Sequence, residues 1–389
     1  MKKQIPIYFV TNWDMAAYTT TTMVSLLSNT KCNCDFYIMD CGLSISDRKR
    51  LLTLKEQFQN LKSLSFSTVD IARFKGMNSW YYGTLDAWAM LLFPESFPEV
   101  HGKAIHIESD TLVVDDIEKL YNEDLNGYTI GAAPDIAFIK TSELFPSKEH
   151  YYFNLGMIMI DCDKWRENNT TKMCLDLGIK YEKKFFCLHQ DALNMLYYNN
   201  NYKKLPNRYN LGERQNYVQN IHPDLSDEYF NEEWKHPVII HFSPNKPWRT
   251  QNNTYSRRIA KYFNDWWFYA AKTPYIEGLR NSFIASKIRD GFKGLQNGDM
   301  EYGNNMLDTL TPKKLPEFVI DTSKPIILPC TDRYRLLGLP FMKVKTDQCG
   351  SRHYKLFWFL PVFKIKTDSK GGKTYKLFSF LPLWNVKAK

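Results

Sequence analysis

Two absences bear on where this protein resides. No stretch approaches the roughly 18 consecutive apolar residues that a bilayer-spanning helix needs, although 44% of the 389 residues are hydrophobic. The apolar run near the start, Ile5–Val10, contains Pro6 and stops at Thr11, so it is too short for the core of a secretory signal. We therefore expect a cytoplasmic protein with no membrane-spanning segment.

Cysteine pairs of the kind that bind zinc are also missing. The eight cysteines include no CxxC pair, and Cys32 and Cys34 have no second pair to match them. This spacing argues against a zinc site. Scattered thiols in a chain of this length are typical of the reduced core of a cytosolic protein.

An excess of basic charge is absent from most of the chain. Residues 331–389 hold 13 Lys and Arg against 3 Asp and Glu, while the preceding 330 residues hold 38 against 39. A nucleic-acid-binding protein more often carries basic groups across its whole body. The basic tail also has no Arg-rich run. We therefore expect no nucleic-acid partner, and a separate role for the tail.

What the chain does contain is an alternation of short apolar segments and helical ones. Strands are predicted at Ile5–Val10, Cys34–Asp40 and Leu64–Val69, with helices at Met15–Ser28 and from Ser46 between them. The β-α-β-α-β order predicts a parallel sheet, which binds ligands beyond the carboxyl ends of its strands. Further strands are predicted at Ala104–Ile107, Tyr128–Ala133, Gly156–Ile160 and Val238–Ile240, and further helices at Thr171–Lys183, His189–Tyr198 and Ser256–Ala271.

The tail is an internal repeat. An aromatic and basic pattern occurs three times, and its prolines Pro340, Pro361 and Pro382 are 21 residues apart. Each copy is too short to bury its own apolar side. Two interpretations stay open. The tail either rests on an anionic membrane surface through its basic and aromatic groups, or forms a small β-rich cap or oligomer contact.

Two acids, Glu108 and Asp110, directly follow a predicted strand. Their oxygens suit Mg²⁺ or Mn²⁺, which in turn bridges a diphosphate. His241 ends another predicted strand and can be a third ligand, while the nearby Lys246 can pair with a phosphate. The alternatives are a solvated turn for the acids and a strand-capping role for the histidine.

Amides and carboxylates also stand near strand and helix ends. Asn154 precedes a predicted strand, and His189, Gln190 and Asp191 open a predicted helix. Such groups suit sugar hydroxyls, which both donate and accept hydrogen bonds. The alternatives are a turn residue for Asn154 and a first-turn acid stabilised by the helix dipole for Asp191.

Together and in this order, the four motifs resemble bacterial members of glycosyltransferase family 8, which include lipopolysaccharide galactosyl- and glucosyltransferases. The resemblance runs from Ile5 to about Glu277, beginning with a segment similar to the family's donor-nucleoside loop, Ile7–Tyr18. It implies an α/β protein with the GT-A nucleotide-sugar-binding fold, a mixed sheet flanked by helices. The implied segments are a catalytic domain at 1–275, a helical connector at 276–330 and membrane-associating repeats at 331–389.

The resemblance also implies a role for each motif residue. Thr11, Asn12 and Asp14 would lie against the uridine of a UDP-sugar. Glu108, Asp110 and His241 would hold Mn²⁺ or Mg²⁺, and Lys246 would touch the diphosphate. The transferred sugar would be surrounded by Asp135, Asn154, His189 and Gln190. Gln190 matches the residue closest to the anomeric carbon, and such family members retain anomeric configuration.

The chain departs from the family pattern in four places. Glu108 stands where Asp is usual, and Ser243 or Pro244 where Gly is frequent. Met90 stands where the family has Arg, and His189 where it has Asp. The last two changes touch the expected sugar contacts, so they leave the donor sugar open. They also keep a second interpretation open, a catalytically decayed sugar-binding or scaffold protein at the membrane.

The resulting expectation is a retaining, Mn²⁺-dependent transferase that moves a hexose, galactose or glucose, from a UDP-sugar to a cell-surface glycan or glycolipid such as lipopolysaccharide. The basic tail would hold the enzyme on the inner face of the cytoplasmic membrane, as a peripheral protein.

Overall fold

The computed structural model describes residues 3–77, 85–136, 144–147, 149–213, 220, 222–243, 245–249 and 257–296, and six strands between 330 and 386. The chain divides into two compact units. One unit comprises residues 1–247 and 251–274, and the other comprises residues 248–250 and 275–389. Among the described helices, none combines the length and the apolar content that crossing a bilayer requires.

The first unit is built on a seven-stranded sheet with the order β3-β2-β1-β4-β7-β6-β8. Its strands are β1 Gln4–Thr11, β2 Asn33–Asp40, β3 Leu61–Thr68, β4 Lys103–Ile107, β6 Ile130–Pro134, β7 Phe153–Asp161 and β8 Lys203–Lys204. Two more strands, β5 Thr111–Val113 and β9 Ile239–His241, pair with each other in a separate small sheet.

Helices cover both faces of this sheet. They are α1 Ala16–Asn29, α2 Ile45–Leu52, α3 Leu54–Gln57, α4 Phe93–Ser96, α5 Glu118–Tyr121, α6 Cys162–Glu167, α7 Thr170–Lys180, α8 His189–Leu196, α9 Asp227–Glu233 and α10 Arg257–Ala270. Short 3₁₀ turns lie at Ile71–Phe74, Asp86–Leu92 and Asn207–Tyr209. The predicted helices and strands of this unit agree with these positions to within a few residues.

The sheet is mixed. The first three strands run parallel, as their alternation with helices predicts, and β4 is parallel to β1. β7 is antiparallel to both of its neighbours, β4 and β6. β7 begins at Phe153, before the predicted start, so Asn154 lies inside the strand and its interpretation as a turn residue is wrong.

β1 lies inside the sheet and is covered on both faces, which explains its continuous apolar sequence. Ile5, Ile7 and Phe9 point into the core beneath α1 and α2. Tyr8 points to the opposite core, where its ring stacks on Phe93 with the centroids 3.9 Å apart. Each large apolar side chain buried in this way contributes roughly 1.5–3 kcal/mol. The core therefore holds the carboxyl ends of β1 and β4 firmly in place.

The second unit contains the helix α11, Ile276–Gln296, and a six-stranded antiparallel sheet. The strands pair in sequence order: β10 Cys330–Leu336, β11 Leu339–Thr346, β12 Arg352–Leu356, β13 Leu360–Thr367, β14 Lys373–Leu377 and β15 Leu381–Val386. Each repeat copy is one hairpin. The predicted connector at 276–330 is described only as far as residue 296, and the three-segment division stays a prediction.

The repeated proline of each hairpin stands beside an irregularity in the strand pairing. Pro340, Pro361 and Pro382 lie opposite Arg335, Lys355 and Lys376, and in each hairpin the register shifts at that pair. Proline cannot donate a backbone hydrogen bond, so within sheets it is confined to such bulges and to edges. The 21-residue spacing of the prolines therefore equals the spacing of the irregularities in strand pairing.

Candidate active site

The pairing of β5 with β9 brings the predicted metal ligands together. Glu108 and Asp110 lie between β4 and β5, and β5 runs antiparallel to β9 so that Thr111 is opposite His241. The backbone N–H of Glu108 donates to the carbonyl of Gly156 at 3.0 Å, which ties this connection to β7. Ligands from two distant parts of the sequence thereby meet beyond the end of β4.

The three side chains form a compact cluster whose candidate ligand atoms all lie within 4.8 Å of one another. His241 Nε2 is 3.7 Å from Glu108 Oε2 and 3.5 Å from Asp110 Oδ2. The side chain of His241 is 7% exposed and that of Asp110 is 17% exposed. Asp110 lies in a turn, as the alternative has it, but its side chain is mostly shielded from water, whereas that of Glu108 is 33% exposed.

Lys246 lies against the same cluster. Its ammonium group forms an ion pair with Asp110 and donates to the carbonyl of Phe242 at 2.7 Å. The predicted phosphate-binding lysine therefore neutralises one of the predicted metal ligands in this structure. A lysine held beside the cluster is in position to pair with an anionic group that approaches it.

The charges of the cluster shift its pKa values in opposite directions. Burial and the neighbouring Asp110 raise the pKa of Glu108 to about 7. Burial also acts to raise the pKa of Asp110, but Lys246 and His241 outweigh it and hold that pKa well below its usual range. Burial lowers the pKa of His241, yet the attraction of Asp110 and Glu108 leaves it raised. The two carboxylates attract positive charge, and protons and the ammonium group of Lys246 neutralise part of their negative charge.

The chemistry of these donors fits a divalent cation. Two carboxylates supply hard oxygen ligands and an imidazole supplies a nitrogen ligand, a combination that suits Mn²⁺ and leaves coordination positions for a diphosphate. Glu108 reaches the cluster although its side chain is longer than the Asp usual in the family, so the longer acid is compatible with ligation.

Gly156 makes room for the histidine. A Cβ at this position would lie 2.3 Å from His241 Nδ1 and 2.7 Å from Asn210 Oδ1. Any side chain on β7 here would collide with the imidazole. A Cβ at Gly212 would also come within 3.0 Å of the His241 carbonyl. The histidine is thus packed directly on backbone, which restricts its orientation.

Three of the four residues predicted to surround the sugar, all except His189, form a hydrogen-bond network next to this cluster. Asn154 Nδ2 donates to Asp135 Oδ2 at 3.0 Å, and Gln190 Nε2 donates to the same oxygen at 3.3 Å. Gln190 Nε2 also donates to the Tyr152 hydroxyl at 3.2 Å. Asp135, Asn154 and Gln190 are therefore brought together as predicted, and their amides have fixed orientations.

The amide oxygen of Gln190 is already engaged. It accepts the backbone N–H of Leu155 at 3.0 Å, and this backbone donor determines which end of the amide is oxygen. One lone pair of this oxygen is therefore directed at β7, and the place of Gln190 near the anomeric carbon stays a prediction. Asp135 is the carboxylate on which the two amides converge.

Asp191 has a structural role. The residue is fully buried, and it accepts hydrogen bonds from the Tyr152 hydroxyl at 2.7 Å and from the backbone N–H of Cys187 at 2.7 Å. It thereby holds the turn before α8, where Leu188 has a φ of +50°. A non-glycine residue in this conformation costs about 1–3 kcal/mol, and the carboxylate helps to impose it.

His189 is directed into the core rather than into solvent. It is 5% exposed, and its ring lies edge-on to Trp88 with the centroids 6.3 Å apart. Burial, and secondarily His106, lower its pKa to about 3, so the imidazole is neutral. Met90, which stands where the family has Arg, is fully buried in the same core cluster as Trp88.

The predicted uridine-binding residues lie in the connection from β1 to α1. Thr11 is buried, and its hydroxyl accepts from that of Thr19 at 2.9 Å. Asn12 Oδ1 accepts the backbone N–H groups of Asp14 and Met15, both at 2.9 Å. Asn12 thus holds the turn that leads into α1, which accounts for its presence without any ligand, and a contact with uridine stays a prediction.

Sequence reasoning missed Asn210 and Tyr152. Asn210 donates through Nδ2 to Asn154 Oδ1 at 2.9 Å and is 4% exposed. Tyr152 bridges Gln190 and Asp191. No motif marks Asn210, since it reaches the site only through the path of the chain before β9. Tyr152 adjoins Asn154 in the sequence, and that proximity was the only available signal.

The comparisons with known proteins agree with this geometry. The profile described as Glycosyl transferase family 8 matches residues 6–252. General stress protein A of Bacillus subtilis (strain 168) is 29% identical over 252 residues, which cover 62% of this chain and 85% of that protein. Glycosyltransferase GlyB of Streptococcus pneumoniae serotype 4 (strain ATCC BAA-334 / TIGR4) is 27% identical over 170 residues, covering 43% of this chain and 38% of GlyB.

Among solved structures, the galactosyltransferase LgtC, in complex with donor and acceptor sugar analogues, is similar with a TM-score of 0.56. The similarity covers 69% of this chain and 96% of LgtC at 21% identity, so it concerns the fold, the mixed α/β sheet of GT-A enzymes. The family match spans more than half of the chain and the fold agrees with it. This protein therefore belongs to glycosyltransferase family 8.

Proposed function

We propose that this glycosyltransferase is a retaining, Mn²⁺-dependent enzyme that moves a hexose, galactose or glucose, from a UDP-sugar to a cell-surface glycan such as lipopolysaccharide. One observation carries the proposal. The cluster of Glu108, Asp110 and His241 adjoins the network of Asp135 and Asn154, so groups suited to a cation and groups suited to a sugar lie side by side. The donor, the metal and the stereochemistry rest on this arrangement together with the family resemblance.

The residues divide the work of binding the donor. Glu108, Asp110 and His241 would hold the metal, which when bound neutralises the negative charge of the diphosphate leaving group. Lys246 would exchange its ion pair with Asp110 for one with a phosphate oxygen. A positive group held in place before the reaction stabilises the charge that develops as UDP departs.

The sugar would meet the amides of Asn154 and Gln190 and the carboxylate of Asp135. The transfer would be a front-face substitution, in which the acceptor hydroxyl enters from the side that UDP leaves and no protein nucleophile is required. An inverted anomeric configuration of the product, read by NMR, would contradict it.

The experiment that tests this function is UDP release from a panel of UDP-sugars, with Mn²⁺ and with EDTA, in the presence of an acceptor extract. Asp110→Asn is the matched variant, since it keeps the size of a ligand and removes its charge. We expect metal-dependent release from one donor and its loss in the variant. Donor binding without release would favour the alternative, a decayed sugar-binding or scaffold protein.

We also propose that the repeat sheet holds the enzyme on an anionic membrane surface, at the inner face of the cytoplasmic membrane. The strand register supports this: Lys343 lies opposite Lys355, and Lys364 lies opposite Lys376. Like charges directly opposite each other in a sheet are destabilising, and an anionic surface relieves this repulsion. Each basic group near such a surface contributes about 1 kcal/mol to binding.

Vesicle co-sedimentation tests this second proposal. We expect the protein to bind vesicles that contain phosphatidylglycerol, to ignore pure phosphatidylcholine, and to lose binding when the four lysines are changed to glutamine. Glutamine at four lysines of the first unit, Lys49, Lys55, Lys172 and Lys180, is the control for net charge. Equal binding by both variants would favour a β-rich cap or an oligomer contact.

A further inference from the structure

Hydrogen bonds to its neighbours determine how the side-chain amide of Asn154 is oriented. This amide lies in the network beside the cluster of Glu108, Asp110 and His241. The backbone N–H of Gly156 donates to Asn154 Oδ1 at 2.8 Å. A backbone N–H can only donate, so this end of the Asn154 amide is oxygen, and the other end donates to Asp135 at 3.0 Å. The orientation of Asn154 is therefore determined by the main chain of β7.

The orientation of Asn210 follows from that of Asn154. Asn210 Nδ2 donates to Asn154 Oδ1 at 2.9 Å, and the reversed amide would place two oxygens against each other. Asn210 Oδ1 is consequently turned away from Asn154. It is a buried oxygen that, among the residues the structure describes, has no hydrogen-bond partner.

This oxygen lies beside the metal cluster. Asn210 Oδ1 and His241 Nδ1 both crowd the position that a Cβ of Gly156 would occupy, at 2.7 Å and 2.3 Å from it. The opposite ring nitrogen, Nε2, faces Glu108 and Asp110. A buried acceptor without a partner thus neighbours the one nitrogen of His241 that does not face the carboxylates.

We propose that Asn210 is a positioning residue that accepts a hydrogen bond from Nδ1–H of His241 and so keeps Nε2 available for the metal. The inference rests on the proposed metal-dependent function and adds to it. A histidine that ligates a metal through one nitrogen commonly donates its other N–H to a neighbouring acceptor, which selects the tautomer and holds the ring. Asn210 supplies that acceptor, and the rigid orientation of Asn154 holds Asn210.

From Asn210 the hydrogen bonds run through Asn154 to Asp135, on which Gln190 also converges. The proposed bond from His241 to Asn210 would join the metal ligand to this network. A substitution at Asn210 should therefore have two effects. It should make the imidazole of His241 more mobile, and it should leave Asn154 Oδ1 without the N–H of Asn210.

The test uses the full-length protein and two substitutions. Asn210→Leu removes both hydrogen bonds. Asn210→Asp retains an acceptor for His241 but loses the N–H that Asn154 accepts. Asn207→Leu is the matched control, because Asn207 is a buried asparagine in the same connection whose amide donates to the Pro134 carbonyl instead.

Calorimetric titration with Mn²⁺ is the first readout, because it does not depend on turnover. We expect Asn210→Leu to weaken Mn²⁺ binding about 10–100-fold, with Asn210→Asp and Asn207→Leu close to the unmodified protein. Asn210→Asp should instead raise the KM for the donor. Equal weakening by Asn210→Leu and Asn210→Asp, or none by Asn210→Leu, would overturn the inference.

The second readout is the tautomer of His241 in the unmodified protein, so it does not depend on any substitution at Asn210. Long-range ¹⁵N–¹H spectra of histidine-labelled protein, saturated with diamagnetic Mg²⁺ and assigned with His241→Gln, should place the proton on Nδ1. A proton on Nε2 would refute the role of Asn210. Absence of any Mn²⁺ binding by the unmodified protein would instead refute the proposed metal-dependent function itself.

Discussion

Gly156 and His241 compete for the same space at the centre of the site, because a Cβ at Gly156 would lie 2.3 Å from the imidazole. We expect Gly156→Ala to displace His241 and to weaken Mn²⁺ binding at least about tenfold, as loss of ligand positioning does elsewhere. Calorimetry measures this. Gly131→Ala is the control, since its Cβ would meet the side chains of Leu125, at 2.8 Å, and Leu205, at 3.2 Å, and not the imidazole. Equal metal affinity in the two variants would contradict the argument.

A metal ion bound at this cluster would compete with protons for the carboxylate of Glu108 and the imidazole of His241. The pKa of Glu108 is raised to about 7 by burial and by Asp110. The pKa of His241 is raised because its two acidic neighbours outweigh burial. Metal ligation needs both groups unprotonated. Mn²⁺ affinity should therefore rise as the pH increases from about 6 to 8, and Glu108→Gln should flatten the curve. An affinity independent of pH over this window would show that these groups do not bind the metal.

At the scale of the elements, an ion pair outside the site holds the connection between β8 and β9 in place. Arg208, in the turn that precedes Asn210, forms an ion pair with Glu233 of α9 at 2.6 Å, and the Glu233 side chain is 3% exposed. Glu233 also accepts the backbone N–H of Arg208. This pair joins α9 to the turn and so holds the segment that carries Asn210.

Removal of this carboxylate should destabilise the fold. Glu233→Ala leaves the Arg208 N–H groups without their acceptor, at a cost of about 1–3 kcal/mol, since the guanidinium is partly exposed to water. Urea unfolding measures the change in free energy. The neighbouring Glu232, which is 66% exposed, is the control, and its replacement by Ala should change stability by less than about 0.5 kcal/mol. Equal losses would contradict a specific role for Glu233.

At the scale of the whole molecule, the proposed cation site would join two distant parts of the chain. Glu108 and Asp110 follow β4, whereas His241 ends β9. A ligand that binds only the folded state stabilises it, by about 2.7 kcal/mol when its concentration is 100 times its Kd. We expect Mn²⁺ to raise the Tm, EDTA to reverse this, and Asp110→Asn to abolish it. A rise of equal size in that variant would place the metal elsewhere.

Much of the fold could be predicted because its signals are local. The continuous apolar sequence of β1 reflects burial on both faces, and alternation with helices predicted that β1, β2 and β3 are parallel. The acids after β4 and the histidine at the end of β9 were found because ligands bind beyond strand ends. The repeat was visible in its regular prolines, which proved to mark the bulges.

Other features depend on contacts between distant segments, which no local pattern encodes. The sequence alone determined the family, the strand ends and the residue types of the site. Tertiary structure decided that β5 pairs with β9, that β7 runs antiparallel, and that Leu155 engages the amide oxygen of Gln190. It also brought Asn210 beside His241. The physical reason is that hydrogen-bond direction and close packing arise only when separate segments meet.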